Sequence, residues 1–256
     1  MWGVLSLSVN PSVGRSPTGI EGLDEMLRGG IPRGRTVTLV GGPGTGKTIL
    51  STQFLVNGIT MYDENGLFVS LEESKKHLYQ YMSVFKWDLD KLEREGKFQF
   101  LDASIIHREP GEVKMGKFRI GRREFSMLGL VNTIEQLAET AKSKRIAVDP
   151  LTVLAYQYQD PFDRRTAFVE LLETLTATGA TCMLTVESRS LKFETEVIEE
   201  EYLADGVITL NRFKVGKSWS RALTLRKMRM TEVDEQPRPY KIEGTGVNVY
   251  SKESIF

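Results

Sequence analysis

The run TVTLVGGPGTGKT (residues 36–48) constrains the fold more than any other stretch of the chain. β-Branched residues lead into a glycine-rich octet, and the helical run TILSTQFLVNG starts at its end. Gly41, Gly46, Lys47 and Thr48 fit G-x-x-x-x-G-K-[ST], and strand before with helix after is the context in which that spacing cradles phosphate. Glycines let backbone N–H groups turn inward without Cβ clashes, and the helix N-terminus adds positive potential. In such a cradle the lysine reaches the β- and γ-phosphates and the Thr48 hydroxyl serves Mg2+. The competing reading is a chance glycine-rich turn. At ~7% glycine, a random match in a chain of this length is roughly a one-in-a-hundred event.

The rest of the chain supplies a matching scaffold. Strands are predicted at 36–40, 66–71, 97–103, 145–149 and 180–186. Between them Leu130, Ile134, Leu137 and Ala141 recur at helical spacing, as do Phe168, Leu171, Leu172 and Leu175. Apolar strands separated by helices predict an α/β fold with a mainly parallel sheet. After residue 205 the segments GVITLN, RALTLRKM, YKI and VNVY follow closely, joined by turn-like KVGKS and EGTG, which predicts antiparallel strands extending that sheet. No composition break marks a second domain. Residues 1–15 are expected to form an N-terminal arm and 16–256 a single domain.

Hydrolysis needs more than a cradle. RIAVDP ends an apolar strand in Asp149, where a carboxylate would hold Mg2+; a strand-end turn aspartate is the alternative. LFVSLEES ends another strand in Glu72 and Glu73. Adjacent residues point to opposite sides, so one of the pair is expected to aim at an attacking water. A helix N-terminal acid pair is the plainer reading. In LTLRKMRM (223–230), alternate residues of an extended strand share a face, grouping Leu223, Leu225, Lys227 and Arg229. Nucleic acid, an acidic protein and a phosphate are all compatible with those two cations.

Composition narrows the partners. Lys plus Arg (34) equals Asp plus Glu (34), so no global field drives the chain onto DNA or anionic membrane. No apolar run approaches the ~20 residues of a membrane span. The N-terminal residues lack a basic leader and a cleavage site, so a cytoplasmic protein is expected. Cys182, the single cysteine, sits in ATCMLTV and reads as a buried structural residue. His77 and His107 have no ligand-spaced partners, and Trp87 reads as a packing anchor.

At this point the sequence resembles the KaiC family of RecA-type ATPases. PTGIEGLDEMLRGGIPRGRTVTLVGGPGTGKT resembles the family's opening, FVSLEES its strand with paired glutamates, and KWDLDKLEREGKFQFLDAS the connector that follows. RIAVDPLTVL resembles the Mg2+-carboxylate strand, and RALTLRKMRMTEVDEQPRPYKIEGTGVNVY the closing K-x-R-x-T strand and hairpin. The resemblance runs in order over about residues 16–251. It implies a RecA-like P-loop ATPase that binds ATP or ADP with Mg2+, and a hexameric ring of identical subunits with nucleotide between them. Gly41, Gly42, Gly44, Thr45, Gly46, Lys47, Thr48 and Ile49 would hold the nucleotide, with Thr48 and Asp149 on the metal. Glu72 and Glu73 would prepare the water. Lys227 and Arg229 would reach the γ-phosphate on the neighbouring subunit, with Thr231 close to that nucleotide.

The sequence departs from the pattern at several places. Pro150 replaces a hydroxyl residue often found after the carboxylate, Val233 a common histidine, and Glu243 and Gly244 a nucleotide-contacting threonine and aspartate. Glu201 and Tyr202 stand where an autokinase would carry Ser and Thr acceptors, so self-phosphorylation by that route is not expected. Two other outputs compete with a working ATPase. One is a nucleic-acid-handling recombinase or helicase, for which the segment 105–124 speaks with six Lys or Arg against three Glu. Balanced charge and the acidic ETEVIEEEY (194–202) speak against it. The other is a nucleotide-gated scaffold with very slow turnover.

Overall fold

The computed structural model describes residues 14–103, 113–115, 118–120, 127–158, 160–188 and 203–255. The strands are β1 (Arg15–Ser16), β2 (Ile31–Pro32), β3 (Thr36–Gly41), β4 (Gly66–Ser70), β5 (Phe98–Asp102), β6 (Val113–Met115), β7 (Phe118–Ile120), β8 (Arg145–Asp149), β9 (Thr181–Glu187), β10 (Gly206–Val215), β11 (Ser218–Met228), β12 (Arg238–Glu243) and β13 (Gly246–Val249). The helices are α1 (Glu21–Met26), α2 (Lys47–Tyr62), α3 (Lys75–Met82), α4 (Leu89–Arg94), α5 (Met127–Thr140), α6 (Thr152–Gln157) and α7 (Pro161–Ala177).

A nine-stranded sheet in the order β13-β12-β11-β10-β3-β9-β8-β4-β5 organises the molecule. It is parallel from β10 through to β5 and antiparallel from β10 out to β13. Each central strand feeds two cores because successive residues face opposite sides. Ile146 and Val148 of β8 join Leu130, Ile134 and Leu171 beneath α5 and α7. Ala147, between them, joins Leu50, Phe54 and Leu55 beneath α2. Helix α2 is buried continuously from Leu50 to Ile59, as expected of a helix clasped on several sides.

Local chemistry fixes how α2 is clasped. The PTGIEGLD segment folds so that Asp24 accepts from Thr18 N (2.6 Å), Thr18 Oγ1 (2.8 Å) and Gly19 N (3.0 Å). Asn57 of α2 donates to the carbonyls of Thr18 (3.1 Å) and Gly19 (3.0 Å). Gln53 pairs with both backbone groups of Val247 in β13. At the far end of α2 the fully buried Arg145 lies over the Phe54 ring and donates to Glu64 at 2.7 Å. A Cβ at Gly58 would come within 2.3 Å of that side chain, so this helical position admits only glycine.

Segment 105–124, which reads from its sequence as an exposed loop or a small hairpin, contains the antiparallel pair β6–β7; the remainder of that segment, His107 included, lies outside the described residues. So do residues 1–13 of the expected arm and 194–202, with Glu201 and Tyr202. Cys182 is fully buried and burial pushes its thiol up to about 12, as a packing residue requires. Trp87 packs on Phe85 and against the α2 core.

Candidate nucleotide-binding site

Between β3 and α2 the backbone turns with Gly44 at φ +72° and Gly46 at φ +94°, both left-handed. A Cβ at Gly46 would meet Ile242 at 2.7 Å, and one at Gly41 would meet the Leu210 carbonyl at 2.6 Å. The loop is thus wedged against β10 and β12 as well as strung between its own strand and helix. Tyr240 of β12 donates its hydroxyl to the Thr45 carbonyl at 2.6 Å, and Thr45 donates to the Gly42 carbonyl at 2.8 Å. First-turn N–H groups of α2, from Lys47, Thr48 and Ile49, have no intrahelical acceptor and face an anion's place. Lys47 Nζ folds back onto the carbonyls of Gly41 (2.8 Å) and Gly42 (3.1 Å). Burial lowers its ammonium from the usual range, opposed by Glu187 and Asp149, yet no described carboxylate is within ion-pair distance. A half-buried cation with no carboxylate in ion-pair distance among the described residues is suited to receive a phosphate.

Sheet order brings Asp149 to the same place. Strand β9 lies between β3 and β8, so Glu187 ends opposite Gly41 and Asp149 ends one strand farther. Asp149 is 5% exposed and accepts from Thr48 Oγ1 at 3.0 Å and from the hydroxyl of Thr185. Burial raises its carboxyl, the two hydroxyls and Lys47 opposing and Glu73 adding to the rise. A carboxylate and a threonine hydroxyl are the hard oxygen donors that Mg2+ takes, so the residues present fit that ion. The Asp149–Pro150 peptide is cis. Thr185 supplies a hydroxyl to the carboxylate although Pro150 cannot.

Strand β4 runs beside β8, with Ser70 level with Asp149, and delivers the glutamates to this corner. The turn is held by Ser70, whose Oγ donates to the Glu73 carbonyl at 2.6 Å and accepts from Glu73 N at 3.0 Å. Glu73 lies 3.5 Å from His77 one helical turn on. The Glu72 carboxyl is raised by burial, with Glu73, Glu187 and Asp149 all pushing the same way. Both glutamates act on the acidic corner, Glu72 as the exposed member of the pair and Glu73 as the half-buried one beside His77.

Lys227, Arg229 and Thr231 are not at this site. Arg229 N donates to the Asp205 carbonyl, and Asp205 N to the Thr36 carbonyl, both at 2.9 Å. Arg229 is therefore level with the start of β3, whereas the cradle follows its end. Thr36 to Gly41 spans about 17 Å along a strand, and β11 lies two strands or about 10 Å to the side. Lys227 Nζ donates to the Ala204 carbonyl at 2.7 Å, and Arg229 pairs with Asp205 at 3.3 Å while its side chain stays 58% exposed.

The expected sharing of a face by Leu223, Leu225, Lys227 and Arg229 is corrected by a β-bulge. Val207 pairs with Lys227 but Ile208 with Leu225, leaving Arg226 without a partner across the ladder. Beyond the bulge the facing reverses, so Met228 joins Leu223 and Leu225 in the core and the strand ends there.

Sequence reasoning missed Thr185, Glu187 and Tyr240 as site neighbours, and Asp205 as the partner of Arg229 at the far edge. It also missed Arg212, whose guanidinium stacks 4.5 Å from the Trp219 ring centre and reaches the outer side of Gly44. At the departures, Val233 packs against the core, Glu243 accepts from Asn248 at 2.8 Å, and Gly244 lies in the β12–β13 turn.

A family model described as the KaiC ATPase matches residues 16–254. The circadian clock oscillator protein KaiC of Nostoc is 33% identical over 235 residues, covering 91% of this chain and 43% of its own. The chain thus spans less than half the length of that relative. A UPF0273 protein of Methanocaldococcus jannaschii is 34% identical over 240 residues, covering 92% of this chain and 96% of its own. The crystal structure of a KaiC-like protein from Pyrococcus horikoshii superposes with a TM-score of 0.78 at 32% identity, covering 93% of this chain and 99% of that one. With its RecA-like α/β sheet and P-loop, this chain belongs to the KaiC ATPase family.

Proposed function

We propose that the protein is a Mg2+-dependent ATP hydrolase whose catalytic sites are completed between copies of the chain in a hexameric ring. The observation that carries this reading is the separation of Lys227 and Arg229 from their own cradle, a distance no side chain spans. A ring with heterologous contacts brings the far edge of one subunit to the cradle of the next.

In this reading residues 16–256 act as one ATPase unit. The backbone N–H groups of Gly42 and of Gly44 to Ile49, with the Lys47 ammonium, bind the polyphosphate. Lys47 exchanges its two carbonyl acceptors for phosphate oxygens. Thr48 and Asp149 hold Mg2+, which when bound offsets the charge of the β- and γ-phosphates. Glu72 orients the attacking water and takes its proton, its carboxyl raised above the ordinary range by partial desolvation and by its acidic neighbours. Glu73 keeps Glu72 in that state through its charge. Arg229 and Lys227 of the adjacent copy meet the charge that develops on the transferred phosphoryl group. Thr231 donates to the same nucleotide.

Oligomeric mass measured with and without ATP and Mg2+ tests the assembly. A six-subunit mass with nucleotide is expected, and a monomer under both conditions would overturn the between-subunit site. Among the described residues no helix is long and apolar enough to cross a membrane.

A further inference from the structure

The far edge that carries Lys227 and Arg229 is held by a residue from the other end of the chain. Arg15 Nη1 donates to Thr231 Oγ1 at 2.6 Å and to the Gly30 carbonyl at 3.3 Å, while Nη2 donates to the Met230 carbonyl at 3.1 Å. Met230 has φ +63°, a left-handed conformation that a non-glycine residue keeps only when its surroundings impose it. We propose that Arg15 is the positioning residue of the between-subunit site, clamping Met230 and Thr231 so that Arg229 and Lys227 are presented to the neighbour's nucleotide. This inference rests on the between-subunit reading above.

The clamp is anchored in a network of hydrogen bonds and ion pairs. Arg15 pairs with Pro32 across β1–β2, and its carbonyl accepts from Arg33 Nη2 at 3.1 Å. Arg33 Nη1 in turn donates to Glu64 at 2.6 Å, and Glu64 is bonded to the buried Arg145 beneath the C-terminal end of α2. The helix that begins at the cradle therefore ends on the ion network from which Arg15 reaches the far edge. Gly30 must be glycine for its carbonyl to take part, since it has φ +118° and a Cβ would meet the Ser16 carbonyl at 2.5 Å.

Guanidinium chemistry explains why the residue is an arginine. Three acceptors in different directions need a planar fork, and a lysine ammonium on a flexible stem would satisfy them less fully. All three acceptors are neutral, and among the described residues no carboxylate pairs with the side chain. Because Thr231 Oγ1 accepts from Arg15, the hydroxyl's own proton is left to donate outward, toward an anion on the adjacent copy.

The test uses the full chain with R15A, R15K, R229A and K47A, measuring steady-state hydrolysis, ATP affinity, assembly mass and melting temperature. R15A is expected to lower kcat by ~10–100-fold, the scale of a small misplacement of a reacting group, with ATP affinity at its own cradle unchanged. R15K should fall between R15A and wild type. Mixing either Arg15 variant with K47A should recover hydrolysis, because K47A supplies an intact far edge to an intact cradle. A merely structural defect in the Arg15 variants would not be repaired by such a partner. Wild-type kcat in R15A, or no recovery with K47A where R229A does recover, overturns the Arg15 assignment and leaves the between-subunit reading standing. If R229A itself keeps wild-type activity, that reading fails first and the Arg15 assignment falls with it.

Discussion

Arg229 and Lys47 stand at opposite ends of the same sheet. Backbone hydrogen bonds through Asp205 set Arg229 level with Thr36, and Lys47 follows the strand's other end at Gly41. In the between-subunit reading proposed above, this cation serves another copy's phosphate. R229A is therefore expected to reduce the hydrolysis rate by about a thousandfold or more, the scale of a trans-acting arginine. ATP affinity should change much less, and single-turnover kinetics beside equilibrium binding would separate the two. Equal losses in both would contradict the assignment.

Asp149, the carboxylate proposed to hold Mg2+, accepts a hydrogen bond from Thr185 on the neighbouring strand. T185V keeps the shape but removes the hydroxyl. The Mg2+ concentration for half-maximal hydrolysis is expected to rise by ~10–100-fold, as for other residues that orient metal ligands. An unchanged Mg2+ titration would show that Asp149 needs no such support.

Glu72 and Glu73 have separable roles in the pH profile. The Glu72 carboxyl is raised by burial and next by the charge of Glu73. A base works only when deprotonated, so the rate should fall as pH drops through this raised value. E73Q removes one negative neighbour, making the Glu72 proton easier to lose, and should move the acid limb to lower pH. E72Q should abolish the limb along with most of the activity. An acid limb that stays put in E73Q would show that the two carboxylates are uncoupled.

Stability is expected to hinge on Glu64. Burial works to raise its carboxyl, but the bonds from Arg145 and Arg33 outweigh this and hold it below the usual range. E64A leaves the fully buried Arg145 without its counter-charge, which typically costs about 3–5 kcal/mol. Urea denaturation would measure the loss. Because the folded carboxyl is the stronger acid, its contribution is present above the unfolded value and vanishes as pH falls through the lowered folded one. The acid dependence of stability should therefore flatten in E64A.

Much of this arrangement is legible in the sequence because its signals are local. The cradle is eight consecutive residues, and the parallel strands are short apolar runs whose two buried faces need no partner to be recognised. Asp149 is legible because it ends such a run. Thr185 and Tyr240 are not, since each reaches the site only through sheet order: Thr185 because β9 lies between β3 and β8, Tyr240 because β12 folds back past the loop. The bulge at Arg226 was equally hidden, for strict alternation fits LTLRKMRM until the register with β10 is known. Arg15 carries no local mark of its contact with Thr231, which lies 216 residues away in the chain.

Mixing K47A chains with R229A chains tests the central claim most directly. Each variant alone should be nearly inactive, one lacking a cradle and the other the cation offered to its neighbour. In randomly mixed equal rings about a quarter of the head-to-tail interfaces pair an intact cradle with an intact Arg229. Hydrolysis recovering toward that fraction of the wild-type rate is the predicted result; mixed rings as inactive as their parents would contradict it.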